Sequence, residues 1–196
     1  MEEMKNTKNS VLAQVDERFG ALTEEELGKK SEAIEEKLFE FANFMESQLS
    51  LLYTPLNSKI IQTESIIERT LQIEKGVILP VFTEAKNSFL LYKISDFAKD
   101  LVINSDGILE PDPGRCKKIF LEEVDIAIIP GLAFDDKGGR VGFGNNYYTK
   151  LITKLPETCR KVALAYEEQM VDQVHMESRK FTLDIIITDE RVIYKI

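Results

Sequence analysis

Five short, mainly apolar runs constrain this chain more than any other feature: residues 48–53, 76–82, 124–129, 161–166 and 184–188. Runs of that length without polar alternation predict strands covered on both faces, as in a parallel sheet. Between the first two, residues 63–74 predict a helix with Ile66, Ile67, Leu71 and Ile73 as its apolar set. Residues 88–94 predict a further strand, in a hairpin with the one before it. Strands alternating with helices predict an α/β fold, a three-layer sandwich with a mainly parallel central sheet flanked by helices in a Rossmann-like arrangement. Residues 104–118, with Asn104-Ser105-Asp106-Gly107 and Glu110-Pro111-Asp112-Pro113-Gly114, predict loop. With 196 residues, one domain spanning 1–196 accommodates all of this, the first 48 residues packing as helices on the sheet.

Those first 48 residues carry 6 basic and 12 acidic side chains, in a chain of net charge −9. Val11, Val15, Phe19 and Leu22 are spaced as one helical stripe, and Ile34, Leu38, Phe41 and Met45 as another. Thr23 followed by Glu26 has capping-box spacing, so the second helix begins there. The acidic run reads as the solvated face of these helices. A net negative surface opposes nucleic acid and anionic membranes as partners. No stretch approaches the roughly 20 apolar residues of a membrane helix, and Met1-Glu2-Glu3 does not start a signal peptide. One histidine (His175) and two separated cysteines (Cys116 and Cys159) argue against a zinc site or a Ser-His-Asp triad. The expectation is a reduced cytoplasmic protein, a monomer or small homo-oligomer.

Chemistry concentrates in residues 124–151, VDIAIIPGLAFDDKGGRVGFGNNYYTKL. Pro130-Gly131 ends a strand, and ligand crevices in open α/β sheets lie beyond the carboxyl ends of strands. Asp135-Asp136-Lys137-Gly138-Gly139 supplies turn formers. Gly142-Phe143-Gly144-Asn145-Asn146 then leads into a helix starting near Asn146. Glycines ahead of a helix N-terminus expose amides to an anion, and the helix dipole adds to the attraction. Residues 135–154 hold four basic and two acidic side chains, the sign a polyphosphate requires. The third glycine of a dinucleotide fingerprint is absent, as is a Walker A pattern, so a tight strand-to-helix turn and an anion site both stand as readings. Tyr147 and Tyr148 lie about 100° apart on that helix: one faces the core, and the other is placed to cover a flat ligand ring.

The string Pro130-Gly131-x-x-Phe134-Asp135-x-x-Gly138-x-Arg140-x-Gly142-x-Gly144-x-x-Tyr147-Tyr148 resembles the signature of the 5-formyltetrahydrofolate cyclo-ligase (5,10-methenyltetrahydrofolate synthetase) family. Leu22-Thr23-Glu24-Glu25 with Lys30-Ser31, Val77-Ile78-Leu79-Pro80, Gly107-Ile108-Leu109-Glu110-Pro111, Ala163-Leu164-Ala165-Tyr166 and Leu183-Asp184-Ile185-Ile186-Ile187-Thr188 are similar to further segments of it. The resemblance implies an ATP- and Mg²⁺-dependent ligase acting on a reduced folate. In that reaction ATP phosphorylates the formyl oxygen of 5-formyltetrahydrofolate, N10 attacks the activated carbon, and phosphate leaves to give 5,10-methenyltetrahydrofolate. The resemblance also implies ATP binding by Lys8, Arg140, Gly142, Gly144, Asn145, Asn146, Tyr147 and Tyr148. Substrate contacts fall on Tyr53, Ile60, Phe134 and Tyr147, with core packing the alternative for Tyr53 and Phe134. A magnesium site falls on Asp184 and Thr149, with a turn-capping carboxylate the alternative for Asp184.

Several positions depart from that pattern. Leu12 stands where the family has Arg, Ile60 where it has a pterin-binding Glu, Asn145 and Asn146 in the glycine loop, and Thr149 where it has a magnesium-binding Asp. A hydroxyl is a poor substitute for a carboxylate on a hard cation, and Ile60 cannot accept the pterin's N–H bonds. A working, divergent cyclo-ligase is therefore one expectation. A paralogue that binds nucleotide or a folate-like ligand without efficient turnover is the alternative, and an ATP-dependent enzyme for another small substrate is a third reading.

Overall fold

A computed structural model describes residues 2–54, 59–83, 88–105, 107–143, 146–176 and 181–195, with side chains from residue 8. Helices α1 (Glu2–Gly20) and α2 (Glu24–Glu40) lead the chain. The capping box forms as the spacing predicts: Thr23 Oγ1 accepts the Glu26 amide at 3.2 Å, and the Glu26 carboxylate accepts the Thr23 amide at 2.8 Å. The second expected stripe does not survive as one helix face. The backbone turns extended at Phe41, with ψ 113°, and α3 (Ala42–Glu46) restarts the turn. The phase shift buries Phe44 and leaves Met45 exposed.

The remaining elements are β1 (Leu49–Leu51), α4 (Glu64–Gln72), β2 (Gly76–Thr83), β3 (Ser88–Ile94), α5 (Phe97–Asp100), β4 (Leu101–Ile103), β5 (Leu109–Pro111), β6 (Lys117–Ile119), β7 (Ile126–Ile128), β8 (Ala133–Phe134), β9 (Arg140–Val141), α6 (Tyr147–Lys154), β10 (Arg160–Ala165), β11 (Ile185–Thr188) and β12 (Val192–Tyr194). The main sheet runs β12-β11-β10-β7-β1-β2-β3-β6. Its five inner strands, β11, β10, β7, β1 and β2, are parallel; β12, β3 and β6 add antiparallel edges. All five apolar runs become these parallel strands, and Leu51, Ile78, Ile128, Val162 and Ile186 are at most 1% exposed. The segment read as loop at 104–118 carries β5 and β6, each only three residues long, too short to show a period.

From β1 the chain crosses through α4 to β2 on one side; from β7 it crosses through α6 to β10 on the other. Crossovers of this kind are right-handed, which sets α4 and α6 on opposite faces and makes the gap between β1 and β7 a topological switch point. On the α4 face, Arg69 reaches Glu36 at 2.6 Å and lies 4.0 Å above the Phe39 ring, fastening α4 to α2. At the carboxyl ends of β10 and β11, Lys30 of α2 pairs with Asp189 at 2.6 Å and Glu168 at 2.9 Å, while Ser31 and Tyr166 share a 2.8 Å hydrogen bond. Burial opposes the Lys30 charge, yet its hydrogen bonds to Asp189 and Glu168 outweigh that and hold the ammonium above the usual lysine range. No described helix is long and apolar enough to cross a membrane.

Candidate functional site

Beyond β7 the chain enters the β8–β9 hairpin, whose flanking glycines make room for Phe134 and Arg140. A Cβ on Gly131 would stand 2.6 Å from Phe134 Cζ and 2.8 Å from Arg140 Cγ, and one on Gly142 would stand 2.8 Å from Arg140 Nη1. The signature's glycines thus bracket the stem and the head of Arg140. Asp135 builds the turn between the strands: its buried carboxylate accepts the amides of Lys137 at 3.0 Å, Gly139 at 2.7 Å and Val174 at 2.7 Å. Gly138 has φ +78°, and a side chain there would run into the Leu183 carbonyl. Asp135 and Gly138 are therefore framework residues.

Arg140 is the centre of the site. It is 8% exposed, and its guanidinium donates to two neutral acceptors, the Pro130 carbonyl at 2.8 Å and Thr149 Oγ1 at 3.2 Å. No described carboxylate pairs with it, and burial pushes it down to about 10. It remains a cation at neutral pH, held out of water without a counter-ion, an arrangement that costs stability unless an anion arrives. Around it lies a small cleft of about 40 Å³ lined by Lys8, Arg140, Gly142, Phe143, Asn146, Tyr148 and Thr149. Among the described residues no carbonyl takes the amides of Gly142 or Phe143. Helix α6 begins beside them, its cap Asn146 in left-handed backbone at φ 59°, a conformation asparagine tolerates well. Two cations, open amides and a helix N-terminus at the carboxyl end of parallel strands are the groups an anion site requires, and they make this cleft the candidate.

The structure gathers Lys8, Arg140, Gly142, Asn146, Tyr148 and Thr149 there; Gly144 and Asn145 lie outside the described residues. The tyrosine pair divides as the helical spacing predicts. Tyr148 is buried, its phenol raised by burial, whereas half-buried Tyr147 stacks on Phe82 at 4.8 Å between centroids. Other assignments need correction. Tyr53, Ile60 and Phe134 are 0–2% exposed, and the Tyr53 hydroxyl is occupied by the Ile61 carbonyl at 3.0 Å. They pack the core and do not line the cleft. Asp184 does not join Thr149. It precedes β11 at the amino edge of the sheet, accepting the Lys161 amide at 2.9 Å and pairing with the Lys161 ammonium at 3.4 Å. Cys116 and Cys159 are buried thiols raised by burial, Cys159 to about 12, and are unreactive on that ground.

Sequence reasoning missed Gln169. It is fully buried, and its amide donates to the Gly131 and Leu132 carbonyls at 3.0 and 3.2 Å while accepting the Tyr166 amide at 3.0 Å. It pins the loop from which Arg140 is reached, and a glutamine within AYEEQM gives no local sign of that. Magnesium does not fit the described residues around the cleft. No carboxylate lines it, and no group of three or more His, Cys, Asp or Glu suited to a metal occurs among the described residues.

The chain is similar to known proteins along nearly its whole length. A "Probable 5-formyltetrahydrofolate cyclo-ligase" of Caenorhabditis elegans is 28% identical, over 98% of this chain and 98% of the relative. One of the same description from Schizosaccharomyces pombe is 29% identical, over 96% and 98%. The structure of Aquifex aeolicus 5,10-methenyltetrahydrofolate synthetase superposes with a TM-score of 0.80 at 28% identity, over 95% of this chain and 92% of that one. The Mycoplasma pneumoniae 5,10-methenyltetrahydrofolate synthetase, at 18% identity and a TM-score of 0.70, shares the fold. The model of the 5-formyltetrahydrofolate cyclo-ligase family matches residues 4–189, nearly the whole length, and the chain belongs to that family.

Proposed function

We propose that this chain is an ATP-dependent 5-formyltetrahydrofolate cyclo-ligase, releasing ADP and phosphate as it forms 5,10-methenyltetrahydrofolate. The observation that carries the reading is Arg140, a buried cation whose partners among the described residues are neutral, facing a cleft beyond the carboxyl end of β7 in a family member's sheet. Phosphoryl transfer asks little covalent help of a protein; it asks for cations and N–H donors fixed around the phosphoryl oxygens. Arg140 and Lys8 supply the charge, and the amides of Gly142 and Phe143 supply donors that need no reorganisation. As the terminal phosphoryl passes to the formyl oxygen, charge grows on oxygens facing Arg140. Phosphate then leaves as N10 closes on the formyl carbon, and the same donors stabilise the departing anion.

Tyr147, stacked on Phe82 and next in sequence to the cleft-lining Tyr148, offers an aromatic surface to the flat folate ring. No step is assigned to a metal held by the chain; magnesium enters, in this reading, on the nucleotide's own phosphates, as is usual for that ion. The relatives matched along their length carry the cyclo-ligase name, and nothing among them favours the paralogue without turnover.

Purified protein given 5-formyltetrahydrofolate and Mg·ATP should form methenyl product, followed by its absorbance, one for one with ADP. ADP without methenyl product, or neither, refutes the assignment.

A further inference from the structure

Among the described residues, Arg140 is aimed by neutral groups. The guanidinium has five N–H donors in a fixed fork; one goes to the Pro130 carbonyl at 2.8 Å and one to Thr149 Oγ1 at 3.2 Å. The Pro130 carbonyl is backbone and cannot change with sequence, so Thr149, on the first turn of α6 and half-buried, is the side chain that sets the plane of the fork. Gly142 packs against the same head, where an added Cβ would stand 2.8 Å from Nη1 and 3.1 Å from Nη2, so the fork has little freedom to tilt once both acceptors are engaged.

We propose that Thr149 is a positioning residue for Arg140 and holds no metal: its hydroxyl fixes the guanidinium while leaving that charge unneutralised for a phosphate. A carboxylate at this place would form a partly buried ion pair with Arg140 and compete with the incoming anion. A methyl in place of the hydroxyl would leave one Nη2 hydrogen unbonded and the fork free to swing. The inference rests on the anion-binding reading above and specifies how that site works without a carboxylate.

The test is calorimetric titration of inorganic tripolyphosphate and of ATP into the full chain, all in EDTA so that no metal contributes. Wild type should bind both. Thr149→Ser keeps the hydroxyl and should bind within about twofold of wild type, whereas isosteric Thr149→Val should bind about tenfold more weakly, the effect of losing one hydrogen bond to a charged group. Thr149→Asp should be weaker still, by about tenfold to a hundredfold, with the desolvated ion pair as the cause. A wild type that binds while Val matches it within twofold overturns the positioning role and leaves the function standing. Thr149→Asp binding as tightly as wild type in EDTA overturns it independently, should Val fail to fold. A wild type that binds neither anion removes the anion site itself, and with it both readings.

Discussion

The parallel sheet has two edges, and each carries a concavity with charged residues. At the carboxyl edge, about 40 Å³ of space surrounds Arg140, whose partners are a carbonyl and a hydroxyl. At the amino edge, an open groove of about 340 Å³ is lined by Asn43, Arg160, Asp184, Ile185, Tyr194 and Lys195. The larger space is the less reactive one. Asp184 already pairs with Lys161, takes its amide, and gives its own amide to the Lys161 carbonyl at 2.8 Å. It stitches β10 to β11. A charge neutralised from within the chain holds a fold together; a buried charge left unneutralised is available to a ligand. Charge balance, and not cavity size, is the ground on which the site is proposed at Arg140.

Arg140→Met should separate the edges most sharply. Loss of a preorganised cation at the transferring phosphoryl group should lower turnover by about 10²–10³-fold, and calorimetry should find no ATP binding. The chain should not melt earlier than wild type. Arg140 has a folded value of about 10, lowered from its ordinary value by burial, so between those values the unfolded chain binds more protons and stability rises with pH. Below pH 10 its charge is a constant burden of about 3 kcal/mol, partly offset by the two hydrogen bonds that Met also removes. A fall in melting temperature of many degrees would return Arg140 to the framework.

Lys30→Met tests the opposite kind of charge. Its pairs with Asp189 and Glu168 are partly buried, so removing one partner should cost about 2 kcal/mol, below the full value for a buried pair, read as a lower urea midpoint. Nucleotide affinity should hold. Because the folded value is raised above 10.5, the contribution is complete below that pH and is lost only as pH climbs past it. The gap between variant and wild type should thus be equal at pH 7 and pH 9, and a gap closing in that interval would contradict the assignment.

Asp184→Asn should do least. It keeps an acceptor for the Lys161 amide and loses an ion pair that is partly solvated, so about 1 kcal/mol or less is at stake. Turnover should match wild type at saturating and at limiting magnesium. A steep rise in the magnesium required would restore Asp184 to the active site and break the contrast between the edges.

Much of the fold was legible locally. Apolar runs without polar alternation marked the five parallel strands, Thr23 and Glu26 marked the start of α2, and Asn146 marked the start of α6. The break at Phe41 was not, since helical spacing continues through it and only the restart at Ala42 reveals the shift. Strands β4, β5 and β6 are each three residues long and, unlike the equally short β1 and β7, do not sit inside a longer apolar stretch that could announce them. One misplacement had a sign in the sequence. Asp184 begins an apolar run, and a residue that begins a parallel strand lies at the amino edge, away from the crevice.

The sequence by itself determined the main helices, the five parallel strands and the family, because these follow from apolar runs and stripes, glycine placement and a nearly continuous set of matching segments. Tertiary structure alone decided which charged residues face an open cleft without a counter-ion. Glycines at 131 and 142 mark a close approach but do not name what approaches. Only the folded hairpin brings the Pro130 carbonyl and Thr149 Oγ1 to the guanidinium of Arg140 while leaving every carboxylate elsewhere among the described residues. The physical reason is range: periodicity is written within a few neighbours along the chain, whereas the balance of charge around a buried group depends on residues separated in sequence and fixed by packing.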